Sequence, residues 1–369
     1  MNTSPEGNGI GQGTKPRVFL AANFLSKSGG SRSVVEDLCE RLELEGYGLT
    51  TASPYRSGAL RGAHLLLTAL RRRRDYDLAV VDLYSGRAFL IGEALSLLLG
   101  AMRRPFILVL RGGELPEFAA RHPERVRACL NRASMVTAPS PFLLERMRPY
   151  HEGLRLLPNP VNLSDYEYEL RSLPRPRLVW LRSFHEIYNP SMAPRVVAEL
   201  KEEFPDISLI MVGRDKGDGS LERTRRVAAE LGVEDRITFA GGVHKREVPE
   251  WMKRGDIFLN TTDVDNTPVS VLEALACGLC VVSTNVGGIP YLLEDERDAL
   301  LVAPRDEQAM SRAVRRILTD SQLAARLSEN ARRKAQQFDW SLILPLWKSL
   351  LATGAAKQTH GNSAQEKLA

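Results

Sequence analysis

Cysteine is scarce in this sequence, with four residues among 369, at positions 39, 129, 277 and 280. A secreted chain held together by disulfides carries more cysteines at closer spacing. Cys277 and Cys280 have the Cys-x-x-Cys spacing of redox and zinc sites, but neither a second pair nor a nearby histidine completes a tetrahedral site. We therefore expect reduced thiols in the core and a cytoplasmic protein.

Long apolar runs are missing as well. The longest covers residues 88–102, includes Glu93, and is too short to span a bilayer. Residues 1–16 are rich in Gly, Asn, Ser and Thr and contain no apolar core segment, which predicts a disordered tail and not a signal peptide. We expect no segment of this chain to cross a membrane.

Lysine is rare compared with arginine: the sequence has 10 Lys and 40 Arg, with a net charge of +5. Arginine binds phosphates and carboxylates through a planar, two-pronged hydrogen-bonding group that lysine lacks. The excess positive charge lies mainly before residue 170, but neither half is basic enough to indicate nucleic-acid binding. The composition therefore favours a small anionic ligand and no nucleic acid.

The length predicts two domains, and 43% hydrophobic residues provide ample core material. Short apolar runs alternate with helical stretches, stop at a proline-rich break at residues 174–176, and then start again. This alternation is typical of parallel sheets covered by helices on both faces. We predict an α/β fold of two doubly wound Rossmann-like domains facing a cleft. The predicted segments are a tail (1–16), a first domain (17–170), a second domain (171–338), a helix crossing back (339–352) and a disordered tail (353–369).

Residues 257–278 form the most informative segment, which reads as a strand, a polar loop and a helix. Thr267 can cap this helix and Pro268 suits its first position, while Gly278 suits the residue after its end. The N-terminus of a helix attracts phosphate. Asp265 and Glu273 lie on either side of this terminus, and carboxylates accept hydrogen bonds from sugar or ribose hydroxyls. The segment therefore predicts a ligand with both phosphate and hydroxyl groups.

The same segment resembles the donor-binding motif of family 4 retaining glycosyltransferases, which have the GT-B fold. The resemblance covers roughly residues 17–350, and its other motifs fall in the family order. The matching positions are Gly29, Gly30, residues 157–159, Arg182, residues 211–213, residues 265–268, residues 272–276, Gly278, residues 281–284, Gly287 and Gly288.

The resemblance implies a transfer of a hexose, with retention, from a nucleotide-sugar donor to a glycan, lipid-linked or small-molecule acceptor. Asp265, Glu273 and Arg182 would be the catalytic residues, with Glu273 binding the ribose, Asp265 facing the sugar and Arg182 holding the diphosphate. No metal or cofactor is expected. The donor-binding set also contains Gly29, Gly30, Lys216, Asn266, Thr267, Pro268, Val269 and Ser270, and the acceptor side contains Arg111, Gly112, Gly113 and Glu114.

The sequence departs from the family pattern in its cations. The family usually has a lysine five or six residues after the arginine, where this chain has Ile187 and Tyr188, and Lys216 is a candidate substitute. Arg111 stands where relatives often have a histidine, with His122 and His185 as other candidates near the cleft. Tyr291 replaces a glutamate that many relatives carry after the double glycine.

Two other functions fit parts of the sequence. A non-catalytic sugar-nucleotide-binding or scaffold protein would explain the missing lysine and histidine. A metal-dependent transferase would use the Asp-x-Asp pattern at residues 263–265 or at residues 75–77, because oxygen ligands suit magnesium and manganese.

Residues 60–70 are apolar and are followed directly by Arg71, Arg72, Arg73 and Arg74. An apolar helix beside a basic cluster can lie on an anionic bilayer. This pattern predicts peripheral contact with the inner face of the membrane, as a lipid-linked acceptor requires. The alternative is an ordinary domain helix with a solvated, charged end.

Overall fold

A computed structural model of the chain describes residues 15–24, 33–55 and 57–365, with side chains to residue 356. Its frame consists of two parallel sheets of six strands each, with helices between the strands. This architecture confirms the prediction of two doubly wound domains. Gly29 and Gly30, predicted to bind the donor, lie outside the described residues, as does most of the predicted N-terminal tail.

The first domain has the strand order β2-β1-β3-β4-β5-β6. Its strands are β1 (Val18–Ala21), β2 (Leu49–Ala52), β3 (Leu78–Leu83), β4 (Phe106–Leu110), β5 (Met135–Ala138) and β6 (Leu154–Leu156). Its helices are α1 (Val34–Leu44), α2 (Gly58–Arg71), α3 (Phe89–Ala101), α4 (Leu115–Arg121), α5 (Pro123–Asn131) and α6 (Pro141–Met147).

The second domain has the strand order β12-β11-β10-β7-β8-β9. Its strands are β7 (Arg177–Leu181), β8 (Ser208–Val212), β9 (Ile237–Gly241), β10 (Ile257–Asn260), β11 (Cys280–Thr284) and β12 (Leu300–Val302). Its helices are α7 (Met192–Leu200), α8 (Ser220–Glu230), α9 (Val248–Lys253), α10 (Val269–Cys277), α11 (Ile289–Leu292), α12 (Glu307–Thr319) and α13 (Ser321–Gln336), after which α14 (Trp340–Gln365) follows.

Alternate residues of each strand pack on opposite faces of its sheet. In β1, Phe19 and Ala21 join one apolar cluster, while Val18 and Leu20 join another on the opposite face. Successive side chains of a strand point to opposite faces, so a strand covered on both sides is apolar throughout. The continuous apolar runs of the sequence are therefore the central strands.

The last helix, α14, returns from the second domain to the first, as predicted. Trp340, Ile343 and Trp347 are buried in the apolar cluster that contains Val18 and Leu20. The helix continues to Gln365, past the end at residue 352 that the polar composition led us to expect. Apolar contacts with the first sheet thus anchor a longer helix than the sequence indicated.

The two chain crossings between the domains are bonded to each other. Val161, on the way out of the first domain, accepts a hydrogen bond from Trp340 (3.2 Å) and donates one to Phe338 (2.8 Å). Asp339 also accepts a hydrogen bond from the Leu163 backbone (3.1 Å). None of the described helices combines the length and apolar character that a membrane crossing needs.

Candidate functional site

A cavity of about 890 Å³ lies between the two domains. The first domain contributes one face of α1 along its whole length, the crossing segment contributes Tyr166, and the second domain contributes the ends of β7, β8 and β9. Ligands of doubly wound sheets bind where the carboxyl ends of strands converge. The predicted residues that line this cavity are Arg182, Val269, Ser270 and Glu273.

The polar loop after β10 leads into α10, which begins at Val269 with Pro268 as its N-cap. Thr267 was predicted to cap this helix, but no side chain does so. The buried hydroxyls of Thr267 and Ser270 have no hydrogen-bond partner among the described residues. Buried polar atoms without partners cost free energy, so these two hydroxyls are available to a ligand at the positive end of the helix.

Glycines fix the shape of this loop by allowing close backbone contact. A Cβ on Gly287 would lie 2.1 Å from the carbonyl oxygen of Asp265, and one on Gly288 would lie 2.0 Å from that of Asn266. The Gly288 N–H donates a hydrogen bond to the Asp265 carbonyl (3.1 Å). The double glycine is therefore required because no larger residue fits against the loop.

The first domain meets the same loop from the opposite side. A Cβ on Gly113 would lie 3.0 Å from the carbonyl carbon of Asp265, so the two predicted segments are in contact. Ser140 donates a hydrogen bond to Asn266, and the Asn159 side chain donates one to the Thr267 carbonyl (3.3 Å). Asp265 thus lies at the domain boundary, beside the cavity lining.

Arg182 connects the cavity with Asp265. It follows β7, forms an ion pair with Asp265, and stacks on Tyr188 with its guanidinium 4.5 Å from the ring centre. Burial lowers the pKa of Arg182, and its Nε has no hydrogen-bond partner among the described residues. The end of this strand packs directly against Gly213, where any side chain would clash: a Cβ on Gly213 would lie only 1.6 Å from the Arg182 carbonyl oxygen.

Glu273 is 2% exposed and is therefore not a solvated helix residue. Its Oε1 accepts a hydrogen bond from the Tyr166 hydroxyl (2.8 Å) and also contacts the ammonium of Lys245. Burial raises the pKa of Tyr166, so this residue remains a hydrogen-bond donor at neutral pH. The carboxylate is thus held in one position at the cavity wall.

Sequence reasoning missed Lys245 and Arg214, which also line the cavity. Lys245 follows the carboxyl end of β9, and Arg214 follows that of β8. Their position after predicted strands could have identified them as candidates. The structure leaves Lys216 exposed and outside the cavity lining, with its backbone N–H bonded to the Phe184 carbonyl (3.1 Å). The predicted substitute lysine therefore has no place in this cavity.

The histidine candidates lie away from the cavity as well. His122 is exposed between α4 and α5, and His185 lies 3.8 Å from Asp218 in another loop. Tyr291 donates a hydrogen bond to Glu145 across the domain boundary (2.9 Å). Neither histidine lines the cavity, so the structure supports no role for them there.

Arg111, predicted to lie on the acceptor side, links three segments of the protein. Its Nε pairs with Asp82 (3.0 Å), and its terminal nitrogen donates to Asn159 (2.8 Å), which in turn bonds the donor loop. Burial acts to lower the pKa of Arg111, but Asp82 and Tyr84 together outweigh it and the pKa is raised. Gly112 and Glu114 are exposed beside this link.

Both Asp-x-Asp patterns are neutralised by arginines. Asp263 pairs with Arg305 (2.8 Å) and Asp265 with Arg182, while Asp75 and Asp77 pair with Arg72 and Arg17. Among the described residues no group of three or more His, Cys, Asp or Glu side chains is placed to hold a metal ion. Cys277 and Cys280 are free buried thiols, and burial raises the pKa of each to about 12.

Residues 173–334 match the sequence model of a family described as Glycosyl transferases group 1. The D-inositol 3-phosphate glycosyltransferase of Streptomyces coelicolor is 28% identical over 208 residues, covering 53% of this chain and 45% of that protein. The GDP-mannose-dependent alpha-(1-6)-phosphatidylinositol monomannoside mannosyltransferase of Mycolicibacterium smegmatis is 29% identical over 213 residues, covering 56% of this chain and 53% of that protein. The chain spans about half the length of these curated relatives.

Solved structures match both domains together. HepE of Anabaena, solved in complex with UDP, has a TM-score of 0.71 at 18% identity, covering 91% of this chain and 99% of that one. Sucrose-phosphate synthase of Thermosynechococcus elongatus has a TM-score of 0.74 at 18% identity, with the same coverage. The second domain therefore matches the group 1 glycosyl transferases in sequence, and the two domains together have the GT-B fold.

Proposed function

We propose that this protein is a retaining glycosyltransferase that moves a hexose from a nucleoside-diphosphate donor to a glycan, lipid-linked or small-molecule acceptor. One observation carries the proposal: a fixed, buried carboxylate and an unpartnered hydroxyl face the interdomain cavity from the same helix. These groups are Glu273 and Ser270 of α10. A nucleotide sugar presents the matching hydroxyls and phosphates.

The donor would extend from the cavity towards the domain boundary. Glu273 accepts hydrogen bonds from the ribose, and the start of α10 together with Arg182 binds the diphosphate. The sugar then reaches Asp265 and the first-domain loop at Gly113, which touch each other. The UDP and GDP-mannose in the names of similar proteins support a nucleoside diphosphate as the common part of the donor.

The reaction breaks the bond between the sugar and the diphosphate, and negative charge develops on the leaving phosphate. Arg182 and the backbone N–H groups at the start of α10 stabilise that charge, and each such contact contributes about 3 kcal/mol in favourable sites. These groups provide the stabilisation without a metal. The leaving phosphate accepts the acceptor's proton, while the acceptor oxygen bonds to the sugar on the same face.

Donor binding is tested by screening UDP-linked and GDP-linked sugars and then comparing the wild type with Glu273→Gln by calorimetry. We expect affinity to fall about 10-fold in the variant, because hydrogen bonds to a charged group are stronger than those to a neutral one. Glu329→Gln is the matched control, since Glu329 pairs with Arg333 on an exposed helix face. Equal donor affinity in wild type and Glu273→Gln would contradict the ribose role.

A non-catalytic sugar-nucleotide-binding protein is the alternative, and the missing family lysine favours it. Turnover separates the two functions, because a transferase releases nucleoside diphosphate when donor and acceptor are both present. We expect Arg182→Ala to lower this rate by about 10²–10³-fold. Donors that bind but are neither hydrolysed nor transferred would support the binding protein instead.

We also propose peripheral contact with an anionic membrane on the inner face of the cell membrane. Helices α2 and α3 pack together and carry five leucines that are each between 43% and 58% exposed. The arginine cluster at residues 71–74 directly follows this surface and is exposed. The exposed leucines are Leu60, Leu67, Leu70, Leu90 and Leu97.

Acidic side chains offset only part of this charge: each of the four acidic residues of the region 57–104 pairs with an arginine, and of those arginines Arg72 alone belongs to the cluster. The four pairs are Asp75 with Arg72, Asp77 with Arg17, Asp82 with Arg111, and Glu93 with Arg125. A surface with exposed leucines beside basic residues matches the chemistry of an anionic bilayer.

Flotation with anionic vesicles tests the membrane contact, with phosphatidylcholine vesicles as the neutral comparison. We expect the Arg71→Ala, Arg73→Ala, Arg74→Ala triple variant to lose vesicle affinity about 100-fold, since each arginine near the surface contributes about 1 kcal/mol. A triple alanine variant of Arg223, Arg225 and Arg226 on α8 is the control. Equal flotation of wild type and the first variant would contradict the contact.

A further inference from the structure

Arg182, the cation that follows β7 in the cavity wall, is not fully available to a diphosphate. Arg182 is already paired with Asp265 and stacked on Tyr188. Ile187 and Tyr188 bring no positive charge to the turn that follows. Other cations also line the cavity, among them Arg214 and Lys245, and Lys245 contacts α10 through Glu273.

Lys245 lies in the short turn Lys245–Glu247 at the rim of the cavity. Its side chain is 28% exposed, whereas that of its partner Glu273 is 2% exposed. Glu273 is also held by the Tyr166 hydroxyl, so the carboxylate keeps one donor when Lys245 moves. The lysine end of this ion pair is therefore the end that can be exchanged.

The start of α10 is within reach of the Lys245 ammonium. Glu273 and Ser270 are three residues apart, so they share one face of the helix, about one turn from each other. From Glu273 to Val269, the first residue of α10, the rise is about 6 Å. A lysine ammonium on its flexible four-carbon stem can cover such a distance by changing rotamers.

We propose that Lys245 is an exchangeable counter-ion, which leaves Glu273 for the donor's diphosphate when the ribose hydroxyls bind Glu273. This inference rests on the proposed function, since it assigns a further residue to the same donor site. Both charged groups keep partners in this exchange. The Glu273 carboxylate accepts hydrogen bonds from the ribose hydroxyls and from Tyr166, and the Lys245 ammonium pairs with phosphate oxygens. Lys245 thereby selects donors that carry both a ribose and a diphosphate.

The experiment measures the affinities of UDP, UMP and uridine, and of GDP, GMP and guanosine, by calorimetry. Lys245→Ala alone leaves a buried carboxylate without its cation, so the decisive comparison is made in a Glu273→Gln background. There we expect Lys245→Ala to weaken diphosphate binding about 10-fold and nucleoside binding less than about 2-fold. Lys253→Ala is the control, because Lys253 pairs with Glu167 and does not line the cavity.

The results distinguish this inference from the proposed function. A diphosphate-selective loss that persists in the Glu273→Gln background supports the exchange. A loss that is equal for diphosphate and nucleoside, or that disappears in that background, overturns it and makes Lys245 only a partner of Glu273. If the wild type binds no nucleoside diphosphate at all, the proposed function fails together with the inference.

Discussion

The two domains present very different loops at the carboxyl ends of their sheets. In the second domain, Gly213, Gly287 and Gly288 pack against backbone so closely that a Cβ would overlap a carbonyl oxygen. In the first domain, Gly86 and Gly112 follow β3 and β4 and have open space around them, and only the neighbouring Gly113 among these loop glycines lies close to backbone, that of Asp265. The loop predicted to bind the donor is therefore fixed by backbone contacts, whereas Gly86 and Gly112 of the first domain are not constrained in this way.

The sequence comparison follows the same division. The family match covers residues 173–334, which lie in the second domain, and not the first. A binding site built from backbone contacts tolerates few substitutions, because a single methyl group disrupts it. An open set of loops tolerates many, which is consistent with a family match that lies within the second domain.

The largest expected effect is on the ion pair of Arg111 and Asp82 in the first domain. Arg111→Ala leaves the Asp82 carboxylate, which is 6% exposed, without a cation, and should lower the free energy of unfolding by about 4 kcal/mol. Urea denaturation measures this loss. Removing both partners in Arg111→Ala, Asp82→Ala should restore most of the stability. If the single variant is as stable as the wild type, the first domain has no such link.

Gly213→Ala tests the close packing of the donor side. The new methyl group would overlap the Arg182 carbonyl, so strand β7 must move, and we expect a loss of about 3 kcal/mol in urea denaturation. Gly100→Ala in α3 is the control, because a Cβ there meets nothing within 4 Å and alanine favours a helix by up to about 1 kcal/mol. Equal stability of the two variants would remove the contrast.

Thiol reactivity gives the smallest expected difference. Burial raises the pKa values of Cys277 and Cys280 to about 12, so both stay protonated at pH 8 and react slowly with a disulfide reagent. Cys39 is only partly buried and should react first. All four thiols should react in guanidinium. If the Cys277 and Cys280 thiols of the native protein instead react rapidly and together with the reagent, they form a redox pair.

The sequence predicted the central strands because they are apolar on both faces. It missed β2, β6 and β12, which lie at sheet edges and are partly exposed. The composition of β2 and β6 is mixed, and β12 is apolar but only three residues long. The predicted end of α14 at residue 352 was also wrong, because the polar residues that follow indicated a disordered tail whereas the helix continues to Gln365. Edge strands and terminal helices depend on tertiary contacts that a local pattern does not contain.

The candidate site was predictable where chain position alone determines it. Ser270 and Glu273 face the cavity because of their spacing on α10, and Arg182 follows its strand. Lys245 was missed because its turn reaches α10 only in three dimensions, and Lys216 was chosen from sequence proximity. Thr267 was expected to cap the helix, but Pro268 takes the N-cap position and leaves the hydroxyl unpaired.

Hydrogen bonds join Val161 and Leu163 to residues 338–340, so the two segments that cross between the domains are bonded side by side. Segments paired in this way hold the two domains together at one place, next to the cavity wall that carries Tyr166. The segment that leaves the first domain and the segment that returns to it therefore cannot separate there without breaking these three hydrogen bonds.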